Sequence, residues 1–132
     1  MLTFYTNPMS RGRIARVMLE EIGEPYDAKV LDYGTTMTAP GYLAINPMGK
    51  VPTVVHDGRV ITEAAAICTY MAVAFPEKGL MADDTAAFFR WMFFAAGPLE
   101  QAVVNTSFGW KPATPQDAGR TGYGCLEDVT RT

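Results

Sequence analysis

The 132-residue sequence predicts an α/β domain built on a mixed four-stranded sheet with flanking helices, followed by the start of an all-helical domain. Three observations predict it. Residues 2–31 pass from β-type composition to helical spacing and back. The dipeptide Asp57-Gly58 separates two short β-branched runs. From Asp84 onward every apolar pattern recurs at helical spacing.

Leu2 to Thr6 is rich in β-branched and aromatic residues and reads as a strand. Asn7-Pro8-Met9-Ser10 is a loop, and Ser10 reads as the N-cap of a helix. Ile14, Val17, Met18 and Ile22 follow at helical spacing, and Gly23 ends the run. Tyr26 to Leu31 is a second strand. Strand–helix–strand implies a parallel pair with a right-handed crossover. A loop with Gly34, Pro40 and Gly41 leads to a short helical piece near Tyr42 to Ile45 and a turn at Asn46-Pro47-Met48-Gly49. Thr53 to His56 is a third strand, and the Asp57-Gly58 turn returns Val60-Ile61 antiparallel to it. Thr62 reads as the cap of the next helix, whose apolar face is Ile67, Tyr70, Met71, Ala74 and Phe75.

The α/β domain is expected over residues 1–76, a linker over 77–83 and a partial helical domain over 84–132. Phe88, Trp91, Met92, Ala95, Leu99, Ala102 and Val103 form one helical stripe, while Phe89, Phe93 and Phe94 add a second apolar face. Pro98 lies inside this helix and is expected to kink it. One last helix is expected from Thr114-Pro115 onward, with Tyr123, Leu126 and Val129 as its stripe. A helical layer this small cannot cover its own apolar faces, so a longer parent chain or a partner is expected to supply the missing surface.

A net charge of −3 argues against nucleic acid as a main partner, because phosphate binding needs a basic surface. Arg11, Arg13 and Arg16 form one small basic group, readable either as a solvated helix face or as an anion site. Two isolated cysteines, Cys68 and Cys125, suggest a reducing compartment and no zinc site. The N-terminus has no signal-peptide pattern, and the most apolar stretch, Ala64 to Phe75, is too short to span a bilayer. The expected location is cytoplasmic, with no membrane partner and no metal. His56 is the single histidine, which removes catalytic His pairs and His-rich metal sites.

Three places could carry chemistry. In Lys50-Val51-Pro52-Thr53, a proline opens a strand. A cis bond there would turn the Val51 backbone outward, free to pair with an extended peptide; an ordinary loop-to-strand proline is the other reading. Glu63-Ala64 begins a helix, and a helix N-terminus binds carboxylates. Glu63 either stabilises its own helix or receives a ligand ammonium, so the pair suits an amino-acid head group. Ser10 lies at the carboxyl edge of the parallel strands, where open α/β sheets bind ligands. A thiol there would meet a hydroxyl donor and a helix dipole, which both favour the thiolate. Asn7 and Tyr5 flank the same place and could donate instead; a plain cap remains the alternative for Ser10.

Taken in this order, the segments Tyr5 to Gly23 (YTNPMSRGRIARVMLEEIG), Asn46 to Val55 (NPMGKVPTVV), Asp57 to Tyr70 (DGRVITEAAAICTY) and Arg90 to Glu100 (RWMFFAAGPLE) resemble the glutathione S-transferase family, bacterial and fungal types above all. The resemblance implies a thioredoxin-like N-terminal domain and a helical C-terminal one. It implies that Val51 pairs its backbone with the cysteinyl part of glutathione, that Pro52 is the cis proline, that Glu63 and Ala64 take the γ-glutamyl end, and that Lys50 reaches the glycyl carboxylate. The activating residue is expected between Tyr5 and Ser10, with Ser10 first and Asn7 second. Ala64 stands where many members carry serine. The implied activity is conjugation of glutathione, as co-substrate, to apolar electrophiles in detoxification, by a homodimer. Glutathione-dependent disulfide or peroxide reduction and a non-catalytic binding module are the alternatives.

Overall fold

The computed structural model describes all 132 residues, which fall into two compact units, Met1–Ala82 and Asp83–Thr132.

The first unit is built on four strands in the order β2-β1-β3-β4: β1 (Leu2–Thr6), β2 (Tyr26–Val30), β3 (Thr53–His56) and β4 (Arg59–Thr62). β1 pairs parallel with β2, Leu2 opposite Tyr26, and antiparallel with β3, Phe4 opposite Val54. β3 and β4 form the expected hairpin. Its two turn residues, Asp57 and Gly58, have φ of 48° and 80°, the left-handed pair that a two-residue hairpin needs to match strand twist. The mixed sheet with flanking helices is the thioredoxin-like arrangement.

Helix α1 (Gly12–Ile22) joins β1 to β2, a short α2 (Pro40–Leu43) follows β2, and α3 (Ala64–Ala74) follows β4. Leu2, Phe4 and Val54 point from the sheet into a core with Ala15, Leu19 and Ile22 of α1 and Ile67 and Met71 of α3. The spacing of these helical residues is what packs α1 and α3 on the same sheet face. The chain beyond α3 stays with this unit: Leu80 packs against the core, and Lys78 lies 3.1 Å from Glu24.

Two predicted caps are corrected. Regular helix begins at Gly12, with Arg11 and not Ser10 in the cap position. Ser10 sits one step earlier in the turn, where its Oγ accepts the Gly12 N–H at 2.9 Å. Gly12 is required by close approach: a Cβ there would lie 2.2 Å from Thr6 Oγ1. At α3 the cap position belongs to Glu63, not Thr62, because the chain turns through a positive φ at Glu63 before the helix can start.

The second unit holds α4 (Thr85–Phe94), α5 (Glu100–Ser107), α6 (Pro115–Arg120) and α7 (Leu126–Thr130). Asp84 caps α4 by accepting the Ala87 N–H. Between α4 and α5 the backbone widens into a π-helical turn, Ala95–Leu99, around Pro98. A proline has no N–H to give and its ring crowds the preceding turn, and the wider turn relieves both. The single final helix expected from Thr114 is two helices. Gly122 and Gly124 break it, and the Thr121 hydroxyl bonds the carbonyls of Ala118 and Gly124. Tyr123 turns inward from this break onto Ala102 and Val129, with its hydroxyl oxygen accepting from Asn105 at 2.8 Å. No helix is long and apolar enough to cross a membrane.

Candidate functional site

The β1–α1 turn is fixed by Asn7. This buried side chain donates to the Leu31 carbonyl at 2.7 Å and accepts the Met9 N–H at 2.9 Å, which ties the turn to the end of β2. Ser10 donates to the Asn7 carbonyl at 2.6 Å. Tyr5 packs its ring against Tyr42 at 5.3 Å between centroids.

The approach to β3 is held from beneath. The Tyr42 hydroxyl donates to the Lys50 carbonyl and lies 2.8 Å from Thr53 Oγ1, and Asn46 Nδ2 donates to the same carbonyl at 2.8 Å. Thr53 and Asn46 are buried. The Val51–Pro52 peptide that follows is cis. Neither the N–H nor the C=O of Val51 pairs within the chain. Asn46→Ala removes one of the two donors to the Lys50 carbonyl and is expected to cost about 1–2 kcal/mol of stability, measured by urea unfolding. An unchanged midpoint would mean that Tyr42 alone holds this loop.

Glu63 is exposed, with φ 66° and ψ 122°. Its carbonyl accepts from Ile67, but no side chain caps α3. The first N–H groups of α3, at Ala64, Ala65 and Ala66, have no partner within the chain.

A hollow of about 490 Å³ brings Ser10, Lys50 and Val51 together. Pro52 is buried behind Val51. Tyr5, Asn7, Glu63 and Ala64 do not line it. Arg11, Arg13, Tyr33 and Met37 do; the sequence leaves the two arginines between a solvated helix face and an anion site and gives Tyr33 and Met37 no role. Tyr33 had no signal, because it lies in an irregular loop that is placed by a backbone bond from Leu31 to Thr6. The hollow carries three cationic side chains and no carboxylate.

The surroundings of both of the protein's own thiols disfavour the thiolate. Burial pushes the Cys68 thiol up. The carboxylates of Glu127 and Asp128 raise Cys125, which donates to Asp128 at 3.1 Å. His56 sits away from the hollow, against the Tyr70 hydroxyl at 2.9 Å and stacked on Phe75. No three His, Cys, Asp or Glu side chains converge as a metal site.

Against known proteins, the family profile described as Glutathione S-transferase, N-terminal domain, matches residues 9–74. The chain is 34% identical over 121 residues to glutathione S-transferase GST-4.5 of Xanthomonas campestris, covering 89% of this chain and 58% of that protein. It is 27% identical to glutathione S-transferase GstA of Escherichia coli O157:H7, over 96% of this chain and 65% of that one. Among solved structures it is similar to a glutathione transferase homologue from Sulfitobacter with bound glutathione, with a TM-score of 0.72 and 28% identity, covering 99% of this chain and 66% of that chain. The chain thus spans roughly 58–66% of the length of these three relatives. A family profile that matches half of the sequence, with a similar fold in a solved relative, carries one conclusion: the chain belongs to the glutathione S-transferase family.

Proposed function

We propose that this chain carries the glutathione site of a glutathione transferase and that the protein conjugates glutathione to apolar electrophiles. The observation that carries the reading is Val51: its main-chain groups are unpaired beside a hollow that also holds Ser10 and Lys50. An extended peptide is bound by such groups in the manner of an added strand. The γ-glutamyl carboxylate goes to the unpaired N–H groups of α3 and its ammonium to Glu63. Lys50 takes the glycyl carboxylate. The thiol then lies at the Ser10 end, near the start of α1, where the hydroxyl and the helix dipole favour the thiolate. Ser10 is preferred to Asn7 and Tyr5 because it lines the hollow; the Asn7 side chain is occupied by backbone groups and the Tyr5 ring packs on Tyr42. The absence of a serine hydroxyl at Ala64 leaves the carboxylate to backbone donors. The thiolate sulfur attacks the electrophilic carbon, and the leaving group departs with the bonding pair.

Isothermal titration with reduced glutathione tests the binding step. One saturable site is expected; no heat from the folded protein would sink the reading. The relatives' names support transferase chemistry, and two unpaired cysteines suit the reducing cytoplasm, where reduced glutathione is abundant.

The working form is proposed to be a homodimer. In the first unit, Val60 on β4 and Val73 on α3 are 47% and 59% exposed, and in the second unit Phe89 and Phe93 on α4 are 42% and 72% exposed. Sedimentation equilibrium at micromolar concentration is expected to give twice the chain mass. A monomer at all concentrations would overturn this.

A further inference from the structure

The site holds more positive charge than glutathione uses. On the reading above, Lys50 and the start of α3 take the two carboxylates of the tripeptide, and Glu63 takes its ammonium. Arg11 is engaged within the chain; Arg13 remains, also lining the hollow. It makes no ion pair within the chain, although Arg16, one turn further along α1, lies 3.4 Å from Glu20. Arg13 also borders a neighbouring hollow that contains Glu20 and Glu21, yet neither carboxylate pairs with it. Met9, Ile14 and Tyr33 line the same hollow and are 85%, 51% and 57% exposed. A cation with no ion-pair partner, in a hollow that exposed apolar and aromatic side chains also line, is complementary to a molecule with an apolar body and one anionic group.

We propose that the electrophile taken by this site carries a carboxylate or similar anionic group on an apolar or aromatic body, and that Arg13 binds that group. The inference rests on the transferase reading, whose thiolate end it shares. The guanidinium holds the anionic group while the glutathione sulfur attacks; it takes no part in bond making. With an aryl chloride the C–S bond forms, the C–Cl bond breaks, chloride leaves with the electron pair, and the thiol proton has already passed to solvent.

The test compares 4-chloro-3,5-dinitrobenzoate with its neutral methyl ester as substrates of the protein with reduced glutathione, each rate divided by its uncatalysed rate. The acid is expected to have the higher kcat/KM. The acid-to-ester ratio is expected to fall about fivefold in Arg13→Gln, the effect of an exposed ion pair at its upper range. Arg13→Lys keeps most of the ratio, and added salt lowers it in the parent protein. Arg13 is exposed and makes no ion pair, so both variants are expected to fold. A ratio unchanged by Arg13→Gln overturns the proposal. So does an equal fall for acid and ester with a raised KM for glutathione, which would assign Arg13 to the tripeptide. No glutathione-dependent turnover with either arene, in a protein that binds glutathione, sinks the transferase reading and this one with it; turnover by the parent protein with no preference for the acid sinks only this one.

Discussion

Glu63→Gln is expected to weaken glutathione binding by roughly 10- to 100-fold, the loss of one charge-assisted hydrogen bond in a polar site. Glu63→Gly is expected to weaken binding at least as much and yet leave the fold slightly more stable. The opposition follows from the backbone. At φ 66° and ψ 122°, Glu63 occupies a conformation that a side chain with a Cβ rarely adopts. Holding a non-glycine residue there costs about 1–3 kcal/mol. Glycine removes that cost, but it adds about 0.4–1 kcal/mol of unfolded-state freedom. It also gives up about 0.3–1 kcal/mol of favourable charge at the start of α3. The net is centred on a stabilisation of about 0.6 kcal/mol, within a span from about 1 kcal/mol of loss to about 2 kcal/mol of gain. Titration calorimetry gives the affinities and urea unfolding the stabilities. A Glu63→Gly variant that binds glutathione as the parent does would remove Glu63 from the site. One that is clearly less stable would mean that the surrounding turn relies on the glutamate side chain.

This residue also shows what a sequence can and cannot reveal. The strands, the parallel β1–β2 pair, the β3–β4 hairpin and the two long helices of the first unit are legible because each buries one face, so period and turn chemistry agree at Leu2 and Phe4, at Ala15, Leu19 and Ile22, and at Asp57-Gly58. The caps were less legible. Ser10 and Thr62 have the right side chains for a cap, but each lies one residue before the position that carries it, because the turn geometry at Ser10-Arg11 and at Glu63 is set by tertiary packing. The last helix was misjudged as continuous, since Tyr123, Leu126 and Val129 keep a helical stripe across a break made by two glycines. In the hollow, Ser10, Lys50 and Val51 come from two recognisable motifs, whereas Tyr33 and Met37 come from a loop with no pattern of its own. Arg13 was visible as a charge, but only the missing carboxylate partner gives that charge a meaning.

Ser10→Ala is expected to lower turnover about tenfold near pH 6 and to leave glutathione affinity within about twofold, with the deficit closing as pH rises. The hydroxyl now donates to the Asn7 carbonyl and accepts from Gly12. To serve a bound thiolate it must turn from Asn7, exchanging a bond to a neutral acceptor for a stronger one to an anion. That bond favours the charged form of the ligand, so it depresses the thiol pKa, and its loss raises it. One unit corresponds to about 1.36 kcal/mol. Below both pKa values the thiolate fraction falls about tenfold for each unit of rise, so the variant is slow there. Above both, parent and variant are equally ionised and the difference disappears. A merely structural role would lower the rate by the same factor at every pH. The thiolate absorbance of the bound tripeptide near 240 nm, followed against pH, separates the two: a shifted midpoint supports activation by Ser10. An unshifted midpoint with unchanged turnover would leave thiolate stabilisation to the start of α1.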